Sequence, residues 1–135
     1  MTKEDKKLLL KDICEKLPYG IKGLHRGKVH SITVMDYRTY PSIQVDGYDA
    51  WFPIETFKPY LRPMSSMTDE ERKEYESFIF IQHHEWDGHG TSTKYVEAYD
   101  AERYVTWLNK KRFDYRGLIL IGLALEAPID MYKTE

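Results

Sequence analysis

The sequence has a single cysteine, no apolar run near the roughly 18 residues of a membrane span, and little net charge. Each shortage removes a class of protein. Cys14 alone cannot close an internal disulfide or supply a thiolate metal cluster, which fits a reducing compartment. A formal charge of −2 argues against a dedicated binder of duplex DNA, which carries a strongly basic domain. No Gly-x-Ser-x-Gly elbow, phosphate-binding loop or dinucleotide fingerprint occurs, so three large enzyme classes lose their usual support. Behind the charged stretch Lys3 to Lys7 stand only Leu8 to Leu10, too short an apolar region for a signal peptide. The expectation is a cytoplasmic protein without membrane contact, with enzyme as the minority reading and no cofactor.

What is present suffices for one core. The 135 residues are 41% hydrophobic and 14% aromatic, with eleven tyrosines, which excludes disorder and predicts a single domain over 1–135. Residues 18 to 68 hold six Lys/Arg against four Asp/Glu, and residues 69 to 99 hold three against eight. The first half is therefore mildly basic and the middle acidic, as solvated surfaces often are.

The stretch Ile54 to Thr68 divides a β-patterned half from a helical one. Pro59 and Pro63 fix φ and remove two donors, which predicts a rigid edge or connector and excludes a central strand. Thr68 followed three residues later by Glu71 has capping-box spacing, so a helix should start at Asp69 and run to about His84. Phe78 to Ile81 is ambiguous between helix and strand, because a short apolar run does not reveal its period. Upstream, Thr2 and Asp5 can cap a first helix over 1–17, with Leu10, Ile13, Cys14 and Leu17 as its apolar stripe. Over 18–63 the period becomes two. Strands are expected near 21–25, 28–37, 42–46 and 50–54, with the dividing stretch as a fifth, and Arg26-Gly27 and Asp46-Gly47 as tight turns. Residues 64–135 read as mainly helical, with a third helix from near Asp100 and a short last one capped by Asp114. The fold class is α+β: a small curled antiparallel sheet, SH3-like, packed with an N-terminal helix and two or three C-terminal helices.

Two constellations could carry chemistry. His83, His84, Asp87 and His89 form the densest set of possible metal ligands. Their spacing departs from His-Glu-x-x-His, and although His83 and Asp87 would share a helix face, two ligands do not close a site. The second is aromatic and basic: Lys58, Tyr60 and Arg62, then Trp107, Arg112, Tyr115 and Arg116. Guanidinium groups beside aromatic faces suit stacked bases and phosphates, and equally suit protein hot spots. The competing expectation is that Trp107 and Tyr115 pack in the core and that Arg116 pairs with Asp114 or a carbonyl. Lys58, Tyr60, Arg62, Tyr115 and Arg116 are the candidate ligand-binding residues.

The segments MTKEDKKLLLKDIC, LPYGIK, KPYLRPMSSMT, WLNKKRFDYRGLI and GLALEAP run nearly end to end through the chain. On them it resembles a small uncharacterised protein family of Bacteroides-type gut bacteria, their prophages and phages. The resemblance implies a genetic setting, a short accessory protein of a mobile element, and no chemistry for individual positions. Three functions are expected in descending order. The first is a non-enzymatic module that occupies a protein partner, with a homo-oligomer also open. The second is a counter-defence sponge for a small nucleotide. The third is a metal-dependent hydrolase built on the histidines.

Overall fold

Helix α1 (Lys3–Lys16) opens with the anticipated capping box, in which the Asp5 N–H donates to Thr2 Oγ1 at 3.0 Å. The computed structural model describes residues 1–36, 40–79, 83–86, 92–95 and 98–132, and for 79, 83–86, 92–95 and 98–100 it describes the backbone alone. A turn of 3-10 helix at Leu17–Tyr19 follows α1. Then come strands β1 (Lys22–His25), β2 (Lys28–Asp36), β3 (Ser42–Val45), β4 (Phe52–Pro53) and β5 (Phe57–Leu61). Arg26 and Gly27, with φ of 51° and 80°, make the β1–β2 hairpin turn in the left-handed geometry that matches strand twist. The short 3-10 turn Ile54–Thr56 links β4 to β5.

The sheet runs β4-β3-β2-β1-β5-β8, where β8 is Leu125–Glu126. Its first five strands are antiparallel neighbours, and the long β2 is shared: Lys28–Ser31 pair with β1, and Ile32–Asp36 pair with β3. An irregularity between Ile32 and Val34 separates the two halves and leaves Val29 and Val34 exposed while Ile32 is buried. This strand order, with a 3-10 turn before the strand that returns beside β1, is SH3-like, although the sheet is open. The class is α+β.

The remainder is helical with exceptions. Helix α2 (Asp69–Ile79) begins where Thr68 and Glu71 exchange backbone-to-side-chain bonds, both 3.1 Å, and helix α3 (Ala98–Lys110) packs beside it. Between them β6 (His83–Trp86) pairs with β7 (Ser92–Tyr95) as a separate hairpin. Four expectations are corrected. The second helix is described over Asp69–Ile79 and does not reach His84, which lies on strand β6. The proline-bearing stretch is no edge, since β5 lies between β1 and β8; β8 flanks only Tyr60 and Leu61, so Pro59 stands where one side of the strand is open and a missing N–H is tolerated. The segment after Asp114 forms turns rather than a helix, although the Asp114 carboxylate does accept from the Leu118 and Ile119 N–H groups at 2.7 and 2.9 Å. The C-terminal part also contributes a strand, parallel to β5.

Two apolar clusters result. Leu9 and Ile13 of α1 pack with sheet residues including Ile21, Ile32, Ile43, Phe57 and Leu61, closed by Leu118 and Leu123. Trp107, Leu108 and Phe113 form the second, under Tyr75 and Phe78 of α2. Trp107 is buried, as anticipated, and its indole N–H donates to Glu74 at 2.8 Å. The buried face of α1 is Leu9, Asp12, Ile13 and Lys16, one step round from the apolar stripe read in the sequence. Half of that face is charged. No described helix is long and apolar enough to cross a membrane.

Candidate functional site

The five candidate ligand residues fall into separate places. Lys58 is exposed on β5, and the half-buried Tyr60 has its carbonyl taken by the Tyr132 hydroxyl at 2.7 Å. Arg62, at the end of β5, is clamped: its guanidinium donates to both oxygens of Glu71 at 2.6 and 2.7 Å and lies 4.3 Å above the Phe113 ring. The backbone locks the same place, since the Arg62 N–H donates to Arg112 O and the Asp114 N–H donates to Arg62 O, each at 2.8 Å. Two parallel charge-assisted bonds on one carboxylate form a strong geometry, and they satisfy the cation that a phosphate would need.

The clamp sets a pH dependence. Hydrogen bonds from Arg62 hold the Glu71 carboxyl down at about 2, against an ordinary 4.5. The unfolded chain therefore takes up the proton first, and the clamp's stabilisation is full above the ordinary value and lost as pH falls from there through the folded value. Acid unfolding curves recorded across that window should flatten in Glu71→Gln, and an unaltered slope would show that the clamp contributes nothing.

Tyr115 and Arg116 meet a different set of partners at the crossing of α1 and α3. Arg116 donates to Asp12 Oδ1 and to Glu15 Oε2, both at 2.6 Å, rather than to the anticipated Asp114. Lys16, fully buried, donates to the same Asp12 oxygen at 2.5 Å and to Asn109 Oδ1 at 3.1 Å. The Tyr115 hydroxyl donates to Glu15 at 2.7 Å, and its ring lies 4.7 Å from both the Lys16 ammonium and the Arg116 guanidinium. Burial and the bond to Glu15 push the Tyr115 hydroxyl up to about 12. For Lys16, burial lowers the pKa against the pull of Asp12. Nothing in the sequence pattern marks Asp12, Lys16 and Asn109 as buried, because charged residue types predict solvent.

The histidine segment is not the helical array considered from sequence. His83 and His84 lie on strand β6, and Asp87 and His89 lie outside the described residues. Among the described residues no three His, Cys, Asp or Glu side chains come together as a metal site. His25 and His30 sit in the sheet, with His25 buried against Phe52 and the His30 Nδ1–H donating to Asp46 Oδ1 at 3.1 Å.

One surface feature was not anticipated. Tyr40 and Trp51, 46% and 48% exposed, flank a cleft of about 190 Å³ with Asp36, at the end of β2, and Ser42, at the start of β3. The Tyr40 hydroxyl donates to Glu55 at 2.6 Å, and Lys6 of α1 bonds the same carboxylate at 3.3 Å while standing 5.3 Å above the Tyr40 ring. Tyr40 is thus fixed from behind and presented from in front. Of the eight tyrosines whose burial is described, Tyr40 and Tyr48 are exposed and the other six are half-buried.

These elements define a small α+β fold on an SH3-like strand order, with an aromatic cleft and charges already paired at the two places where a phosphate was anticipated. No protein-family model matches the chain, and neither a curated protein nor a solved structure matches it.

Proposed function

We propose that this protein is a non-enzymatic accessory binding module of a phage or mobile element, acting in the cytoplasm by docking a partner protein at the Tyr40–Trp51 cleft. The observation that carries this reading is the pair of half-exposed aromatic rings, with Tyr40 held by Glu55, around a side-chain-sized hollow. Small-molecule sites span about 300–1,000 Å³, so a cleft of about 190 Å³ suits one inserted side chain rather than a nucleotide. Tryptophan and tyrosine in such positions supply most of the energy of protein interfaces. The genetic setting rests on the sequence resemblance alone. The sponge reading has less support, because a nucleotide phosphate would have to displace Glu71 from Arg62, or Asp12 and Glu15 from Arg116.

The test is capture of partner from a lysate of the natural host with the intact chain and with Trp51→Ala. Loss of an interface anchor costs about 2 kcal/mol or more, so retention should fall at least about tenfold while the melting temperature stays put. A partner held equally well by the variant would remove the cleft from the interface, and recovery of a bound nucleotide in its place would favour the sponge.

A further inference from the structure

A second cleft, of about 460 Å³, lies between the last turn of α1 and one face of α3. Ala101, Glu102, Val105 and Asn109 form its α3 wall, and Glu15 and Tyr19 the other. The volume falls within the usual range of ligand sites. Its walls are anchored. The Tyr19 carbonyl accepts from Arg112, and Asn109 is buried at the closed end.

The chemistry of the cleft is one-sided. The Tyr115 hydroxyl, the Arg116 guanidinium and the Asn109 amide all donate to a single oxygen of Glu15, Oε2, at 2.7, 2.6 and 3.2 Å. The other oxygen, Oε1, receives none of the three, and the side chain is one-third exposed. Burial opposes its ionisation, yet Arg116, Tyr115 and Asn109 together hold the carboxyl below its ordinary value, so it is an anion at neutral pH. Behind it Asp12 and Glu15 balance Lys16 and Arg116, and the exposed Glu102 adds a negative charge to the opposite wall. Among the described lining residues none is cationic. A phosphate or carboxylate would meet the carboxylates of Glu15 and Glu102 at the walls, with Arg116 already engaged by Glu15.

We infer that this cleft binds an alkylammonium group on a short apolar stem, with the ammonium against Glu15 Oε1 and the Glu102 carboxylate and the stem along Ala101 and Val105. The fixed Oε1 acceptor is pre-organised by its three partner bonds, and the apolar wall excludes water from the stem. The ammonium is either a free small amine or a lysine side chain of another protein.

Isotope-labelled full-length protein is titrated with n-butylamine near neutral pH, with 1-butanol as the uncharged probe at matched ionic strength, and amide shifts are followed by NMR. Butylammonium should give saturable shifts confined to the last turn of α1 and the cleft face of α3, and 1-butanol should give none. Glu102→Gln, outside the polar cluster, should weaken binding about threefold, as expected for one exposed charge pair. Glu15→Gln should weaken it about tenfold, with folding checked by urea unfolding because Arg116 loses a partner. If Glu15→Gln fails to fold, Glu102→Gln still decides the question. Non-saturable shifts, equal responses to butanol, or affinity untouched by Glu102→Gln would overturn the assignment. A capped lysine amide binding more tightly than butylamine identifies a protein lysine as the natural occupant, and weaker binding identifies a free amine.

Discussion

Gly23→Ala is expected to destabilise the protein by about 3 kcal/mol or more, at the upper end of overpacking costs in a close-packed core. Gly23 lies in β1 opposite His30 of β2 and Pro59 of β5. A β-carbon there would overlap the Phe57 ring and stand 2.5 Å from the Lys58 carbonyl oxygen. Neither neighbour can yield cheaply, since Phe57 is fully buried and the carbonyl belongs to the adjoining strand. Urea unfolding measures the loss. Gly27→Ala is the control: its β-carbon would meet nothing, but φ is +80°, so the cost should be only about 1 kcal/mol of backbone strain. Adding Phe57→Leu to Gly23→Ala should recover part of the loss, and a strictly additive double mutant would show that the ring is not the obstacle.

The second large effect lies in the polar cluster. Asp12→Ala should cost about 3–5 kcal/mol, because it strands the fully buried Lys16 ammonium and removes one of the two carboxylates that hold Arg116. The loss should be smaller at alkaline pH. Burial already lowers the folded-state pKa of Lys16, and without Asp12 that pKa falls further, so the unfolded state binds the extra proton and stability rises as pH increases. The double replacement Asp12→Leu with Lys16→Met should lie close to the wild type, since apolar groups of similar size commonly replace a buried pair at little cost. Arg116 keeps Glu15 in that variant. If the double mutant is as unstable as Asp12→Ala, packing rather than uncompensated charge sets the cost.

The candidate site was only partly legible. Arg116 does lie over the Tyr115 ring, but Arg62 lies apart from them over Phe113, and the carboxylates that hold the two arginines, Glu71, Asp12 and Glu15, come from elements distant in sequence or from helix positions that look solvated. Tyr40 and Trp51 lay within the β-patterned half without any periodic signal, and only the pairing of β3 with β2 and β4 places them at one cleft. His83 and His84 lie on a strand rather than a helix for a local reason: Phe78 to Ile81 carries no period, so nothing in the pattern fixes where the helix ends.

By itself the sequence determined the features whose energies are local. Thr2 with Asp5 and Thr68 with Glu71 start helices where capping demands it, and Arg26-Gly27 turns the first hairpin where a left-handed residue pair is needed. The period-two pattern over 18–63 likewise marked strands there, and the pairing order of those strands came from the tertiary structure. The tertiary structure alone decided which charges are buried, that a proline-bearing strand sits inside the sheet, and that Leu125–Glu126 joins it in parallel. Those outcomes depend on partners far apart in the chain, and a buried Asp12–Lys16–Arg116 cluster is stable only because all its members arrive together. Local propensity carries no record of that coincidence.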